Sequence, residues 1–197
     1  MSQSTEAREI SSDASPQALV SAPAAGRGLV FYLVFAWGVV GVLGLFVRAL
    51  LRLAPMAWQP IATRSLTGFQ IALYALWVIF NAYSEGYRAF QKSFCPRVVG
   101  RAYHLAQNPK PLHALLAPVY CLSLFHANRR GLIVAWTMLF VIAGLVALLR
   151  ITPQPWRGIV DGGVVVALIW GALAILVMAF RALLGIRTTA KLNLPDR

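Results

Sequence analysis

Residues 162–180 read GGVVVALIWGALAILVMAF, and this stretch decides the fold. It contains neither a charged side chain nor an alternation of polar and apolar ones. At about 1.5 Å of rise per residue, a helix of this length spans roughly 30 Å, the thickness of the hydrocarbon core of a bilayer. A transmembrane β-strand would alternate lipid-facing and lumen-facing residues over about ten positions. The stretch therefore predicts a membrane-spanning helix.

Three further uncharged windows have the same character, at residues 28–47, 65–84 and 131–149. The whole chain is 59% hydrophobic and 12% charged, whereas about 25% of the residues of a soluble domain are charged. Core helices of a soluble protein would need amphipathic helices to cover them, and the chain has few of these. We expect an all-α membrane protein with four transmembrane helices and an interfacial helical segment between the second and the third.

The windows divide the chain into a membrane domain with a tail at each end. Residues 1–26, rich in Ser and Ala, are expected to form a disordered cytoplasmic tail. Residues 27–185 form the four-helix transmembrane domain with a basic cytoplasmic loop at 85–130, and 186–197 form a second cytoplasmic tail. The first apolar run is longer than the roughly 7 to 15 residues of a signal peptide, so the first span is expected to stay in the mature protein.

The distribution of basic residues predicts the orientation. The chain has 18 Lys and Arg and a net charge of +12. With the N-terminus inside, 13 of these residues face the cytoplasm, and the five outside are Arg48, Arg52, Arg64, Arg150 and Arg157. This bias predicts that both termini are cytoplasmic, and the design suits a bacterial inner membrane. Because no recognition helix, zinc spacing or RNA-binding signature accompanies the charge, anionic lipid is expected as the partner and nucleic acid is not.

Residues 111–128 are a fifth uncharged stretch that complicates this prediction. If they crossed the membrane, the basic residues would divide nine against nine. The stretch contains His113, His126 and Pro118, which are costly or helix-breaking in a span that faces lipid. We interpret it as an interfacial or re-entrant segment that packs against the bundle.

The loop between the second and third windows has helical periodicity. Four aromatic residues recur at spacings of four, three and four and so share one helical face: Tyr83, Tyr87, Phe90 and Phe94. The second helix is expected to continue past the membrane until Pro96 interrupts it. After Pro96, residues Arg97, Arg101 and His104 form a polar stripe, as in a short helix that lies in the plane of the interface.

Two sets of residues in this loop are candidates for a functional site. Lipid or anion contact is predicted for Arg88, Lys92, Arg97 and Arg101, because arginine clusters bind phosphate. A polar site is predicted for Glu85, His104, His113 and His126. Within that set, the favoured role of Glu85 is a pair with Arg88, three residues away. The histidines lie outside the spans, so a polar interfacial role is favoured over haem or metal ligation.

Catalytic and cofactor motifs are absent from the sequence. It has no Walker loop, dinucleotide fingerprint, nucleophile elbow or zinc-protease motif. Cys95 and Cys121 lie 26 residues apart without suitably spaced histidines, and they are expected to be reduced thiols. Asp161, at the start of the fourth window, is explained by capping and by a local pair with Arg157. No cofactor and no metal are expected.

These observations favour a non-catalytic accessory or scaffold protein whose basic loop contacts anionic lipid or a protein partner, with a homo-oligomer as a further form of partner. The alternative is a small transporter or lipid-handling protein in which the arginine cluster receives an anionic head group. A third hypothesis is a membrane enzyme, and it requires Glu85 to meet His104 or His113.

Overall fold

The computed structural model describes residues 28–109, 111–125 and 127–186, which form helices and no strand. The helices are α1 Leu29–Ala62, α2 Gly68–Asn81, a π-helical stretch Ala82–Phe94 that we call the π segment, α3 Cys95–Gln107, α4 Pro111–Leu115, α5 Ala117–Cys121, α6 Arg129–Ile151 and α7 Trp156–Leu183. Apart from Ile186, the two predicted tails lie outside the described residues.

Three helices of the described chain are long and apolar enough to cross a membrane: Leu29–Ala62, Gly131–Ile151 within α6, and Trp156–Leu183. The prediction of an all-helical chain is confirmed for the described residues, and three of their helices have the length and hydropathy that a membrane span requires. The second predicted window is divided between α2, with 14 residues, and the beginning of the π segment. The four-span arrangement and the interfacial segment stay predictions.

One continuous helical rod runs from α2 through the π segment to α3. It begins with a capping box, in which the Thr67 N–H donates to Gln70 Oε1 at 2.9 Å and the Gln70 N–H donates to Thr67 Oγ1 at 3.4 Å. The expected interruption at Pro96 is wrong. The N–H of Cys95 still bonds to the carbonyl of Phe90, five residues back, and α-helical bonding begins directly afterwards. Pro96 lies directly after the change from π-helical to α-helical bonding, so its missing N–H falls where the hydrogen-bond pattern changes.

α1 and this rod are antiparallel. Three contacts define their register: the Tyr74 hydroxyl donates to the Ala57 carbonyl at 3.3 Å, the rings of Phe46 and Phe90 are 5.4 Å apart, and those of Phe31 and Tyr103 are 5.2 Å apart. The end of the first predicted window therefore lies beside residue 90, beyond the end of the second window. Windows that the sequence placed side by side are shifted along the bundle axis.

α7 occupies the centre of the bundle because its glycines let bulky side chains approach the backbone. A Cβ atom on Gly158 would lie 2.5 Å from Pro60, one on Gly163 would lie 2.7 Å from the Trp77 indole nitrogen, and one on Gly171 would lie 3.0 Å from the ring of Phe46. Glycine at such positions allows helices to pack closely in a membrane. These glycines, on different sides of α7, thus receive side chains from α1 and from the rod.

α6 stands apart from this packing. Its apolar window is 6% buried, against 33% for α1 and 28% for α7. The connection at residues 152–155 holds the end of α6 near α1, since Gln154 Nε2 donates to the Met56 carbonyl at 3.4 Å. Most of α6 is left for lipid or for another protein to cover.

Replacing Gly163 by Ala tests the packing at the glycines of α7. The added Cβ atom would displace Trp77 and weaken the bond that its indole N–H donates to the Val160 carbonyl at 3.4 Å. We expect a loss of about 1–3 kcal/mol in the free energy of unfolding, typical of overpacking, measured by thermal unfolding in detergent. The matched control is Gly144→Ala on α6, where nothing lies within 4 Å. That variant should keep or slightly raise the stability, and an equal loss in both would contradict the packing described for α7.

Candidate functional site

Arg101 is the centre of a buried polar cluster at the end of the bundle where the described chain begins. The side chain is 0% exposed. Its guanidinium donates to the Tyr120 carbonyl at 2.7 Å and to the Phe125 carbonyl at 3.2 Å, and it lies 4.2 Å from the centroid of the Tyr120 ring. Both carbonyls lie at or just after the end of α5, where a helix dipole favours a cation. Arg101 therefore joins α3 to the segment that follows α5.

Two of the predicted histidines meet at the same tyrosine. The Tyr120 hydroxyl lies 3.5 Å from Nδ1 of His104, and the ring of His113 stacks on that of Tyr120 at 5.5 Å. Phe125 closes the cluster, with its ring 5.8 Å from that of Tyr120. The structure thus brings together Arg101, His104 and His113. No spacing pattern marks Tyr120 in the sequence, because it is 19 residues from Arg101 and 16 from His104.

Burial favours the neutral forms of His104, Tyr120 and Cys121 in this cluster. Burial and the neighbouring Arg101 lower the pKa of His104, which favours the neutral imidazole. Burial raises the pKa of Tyr120, with a smaller opposing effect of Arg101. Burial also raises the pKa of Cys121 to about 12, against a smaller lowering effect of Arg101, and burial raises that of Cys95 to about 12. Because the thiolate is the reactive form, both thiols are poor nucleophiles at neutral pH.

The four predicted lipid-contacting residues occupy different environments. Arg88 and Lys92 are exposed on the π segment, and Lys92 Nζ lies 4.5 Å from the centroid of the Tyr87 ring. Arg97 is partly buried, which lowers its pKa, and its Nε donates to the Ser93 carbonyl at 3.0 Å. Arg101 is turned inwards, so the polar stripe predicted for residues 97–104 does not face one surface. The periodicity of α3 identified a polar stripe without showing that it points into the bundle.

The two other predicted polar residues lie outside the Tyr120 cluster. Glu85 is exposed on the π segment. The expected pair with Arg88 is not formed, since the ion pair found among the described residues joins Arg157 and Asp161. No contact joins Glu85 to His104 or His113 in the described chain, so the geometry that the enzyme hypothesis requires is not present there. His126 lies outside the described residues.

Asp161 forms a second polar site, at the opposite end of the bundle. The expected pair with Arg157 is confirmed, with Nε and Oδ2 3.5 Å apart. Asp161 is nevertheless only 1% exposed, and neither of its carboxylate oxygens accepts a hydrogen bond from the described residues. The sequence contained a signal for this burial. One face of the otherwise apolar α2 carries polar atoms from Tyr74, Trp77 and Asn81. That face packs against Gly162 and Gly163, the two residues that follow Asp161.

Neither polar site contains the donor set of a metal centre, since the described residues include no cluster of three or more His, Cys, Asp or Glu side chains. Comparisons of the chain with protein-family models, with curated proteins and with solved structures found no match. Function is therefore argued from the geometry of the chain itself.

Replacing Arg101 by Ala tests whether this residue holds the Tyr120 cluster together. The Tyr120 and Phe125 carbonyls would lose a charged donor in a buried place, which costs about 1–3 kcal/mol in the free energy of unfolding. Thermal unfolding in detergent should show that loss. Arg88→Ala, an exposed control, should change stability by less than about 0.5 kcal/mol. Equal stability of the two variants would contradict the structural role of Arg101.

Proposed function

We propose that the chain is a non-catalytic, multi-pass membrane protein that acts as an accessory or scaffold protein. In this proposal α6 packs against the transmembrane helices of a protein partner, and the exposed cations of the π segment contact anionic lipid. The supporting observation is that α6 leaves almost its whole apolar surface outside the bundle, whereas α1 and α7 are packed together.

The surface of α6 suits a partner within the bilayer. Between lipid-exposed helices no hydrophobic driving force acts, so association depends on close van der Waals packing and is favoured by small residues. Gly144 has nothing within 4 Å, and Ala143 and Ala147 beside it are exposed. α6 contributes little to the packing of the bundle. A partner that packs against α6 would therefore not need to displace any helix of this chain.

The polar clusters support a structural role rather than a chemical one. Arg101 donates to backbone carbonyls of its own chain, and Tyr120 is packed between that guanidinium and His113. Cys95 and Cys121 are buried, with the pKa of each near 12. Groups used in this way hold helices in place, and the surfaces of the protein remain for contact with other molecules.

The ends of the described chain support the proposed orientation. Phe31 near its start and Ala182 near its finish belong to one cluster of buried residues. An even number of membrane crossings places both termini on one side, which we propose to be the cytoplasm of a bacterium whose inner membrane holds the protein. Arg88 and Lys92 lie level with the middle of α1, so in this proposal they reach lipid phosphates where the bilayer thins around them, with Arg97 as a partly buried third cation nearer the cytoplasmic end.

The accessory role is tested by replacing residues 132–148 of α6 with leucine. This substitution keeps the length and hydropathy of the helix but removes its particular surface. Because α6 packs so little against the bundle, the variant should unfold at nearly the wild-type temperature. Affinity purification in mild detergent followed by mass spectrometry should then recover a stoichiometric partner with the wild type and lose it with the variant.

A matched replacement, Ile133→Leu with Val134→Leu, changes two exposed residues of α6 at conserved hydropathy and should keep the partner. Recovery of wild-type protein alone, with no partner and no retained anionic lipid, would refute the proposed role. A partner captured equally by the wild type and the poly-leucine variant would show that α6 is not the contact surface.

A further inference from the structure

Three unpaired, exposed charges lie at one level of the bundle. Arg48 and Arg52 are one turn apart on α1, and Glu85 lies on the π segment. Within the described part of the chain none of the three forms an ion pair. The sequence placed the two arginines and the carboxylate at opposite membrane surfaces, so their closeness in height depends on the observed register.

Two contacts between α1 and the rod, one on either side of these charges, define their height along the bundle axis. Ala57 is level with Tyr74 through their hydrogen bond, and Phe46 is level with Phe90 through their rings. Of the 16 residues from Phe90 back to Tyr74, Glu85 lies five from Phe90, about a third of the way between the two contacts. On the antiparallel α1, a third of the 11 residues from Phe46 to Ala57 ends between Arg48 and Arg52.

The surface around the two arginines is open. A shallow recess is lined by Gly44, Val47, Arg48, Leu51 and Arg52. Nothing lies within 4 Å of the Cβ position of Gly44, so a second helix has room to approach α1 there. Charges on the apolar surface of a membrane protein are costly unless they find a partner.

We propose that this face binds a second copy of the chain, with Arg48 and Arg52 of each protomer paired with Glu85 of the other. Copies inserted in one membrane share one orientation, so residues meet their partners only at equal heights. The proposal requires the two arginines and Glu85 to flank one two-fold axis along the membrane normal, which would make both charge contacts at once. An anionic lipid would neutralise the arginines but would offer no cation to Glu85. The proposal is independent of the partner of α6, because it concerns another surface.

The test uses two charge-reversed chains with different affinity tags, one carrying Arg48→Glu with Arg52→Glu and the other Glu85→Arg. Each alone brings like charges together in a homodimer, so its dissociation constant in nanodiscs should rise at least about tenfold. Co-expressed, the two chains restore opposite charges at both contacts. A pull-down on one tag should then recover the other chain, and native mass spectrometry should show the heterodimer.

The control is Arg181→Glu, which reverses an exposed charge near the end of α7 and should leave the dimer unchanged. Thermal unfolding establishes whether each chain is folded. If a charge-reversed chain is not folded, the neutral variants Arg48→Gln, Arg52→Gln and Glu85→Gln replace it in the test. These neutral variants should weaken the homodimer as well. A monomeric wild type, or folded reversed chains that form no heterodimer, would overturn the proposal. Loss of bound phosphatidylglycerol from the arginine variant, with its oligomeric state unchanged, would assign the arginines to lipid and would also overturn it.

Discussion

Three helical elements meet at Gly171, and the rest of the bundle depends on that contact. The rings of Phe46 and Phe90 both lie about where a Cβ atom of residue 171 would need space, at 3.0 Å. The Cys95 thiol donates to the Gly171 carbonyl at 3.5 Å. Since α1, the π segment and α3 each send one side chain to this glycine, their positions along the bundle axis are coupled. A shift of any one of these elements would break its own contact with Gly171.

The coupling determines which charges share a level. α1 has 34 residues and is about 50 Å long, whereas the hydrocarbon core of a bilayer is roughly 30 Å thick. A helix of that length extends beyond the core or tilts strongly, so hydropathy alone does not fix which part of it lies at which depth. With Phe46 beside Phe90, the cations at residues 48 and 52 lie near the height of Glu85. The proposed contact between two copies follows from this agreement in height.

The sequence was sufficient for the helical class, because long uncharged runs are recognisable without any knowledge of packing. It was insufficient for the register, which arises from contacts between residues as distant as Phe46 and Gly171. Pro96 shows the same limit, since its effect on the helix depends on the π-helical bonding that precedes it. Arg101 was expected to contact lipid or an anion, and Asp161 to cap the fourth helix and pair with Arg157, whereas their burial depends on what faces them. The polar residues of α3, Arg97, Arg101 and His104, recur with the same spacing whether they face water or Tyr120. The spacing alone therefore does not show which way they point.

Disulfide cross-linking in native membranes tests the register most directly. In a chain with Cys121→Ala, cysteines would replace Gly38 on α1 and Ala102 on α3, because a Cβ atom on Gly38 would lie 3.5 Å from that of Ala102, within the range that a disulfide requires. The observed register predicts a rapid, high-yield disulfide between these positions under mild oxidation. It also predicts none between cysteines at residues 47 and 65. Ser65 bonds to the Pro60 carbonyl, and Pro60 is about 20 Å along α1 from residue 47. The opposite result, a disulfide between residues 47 and 65 and none between 38 and 102, would show that the first two predicted spans lie level with each other and would contradict the observed register.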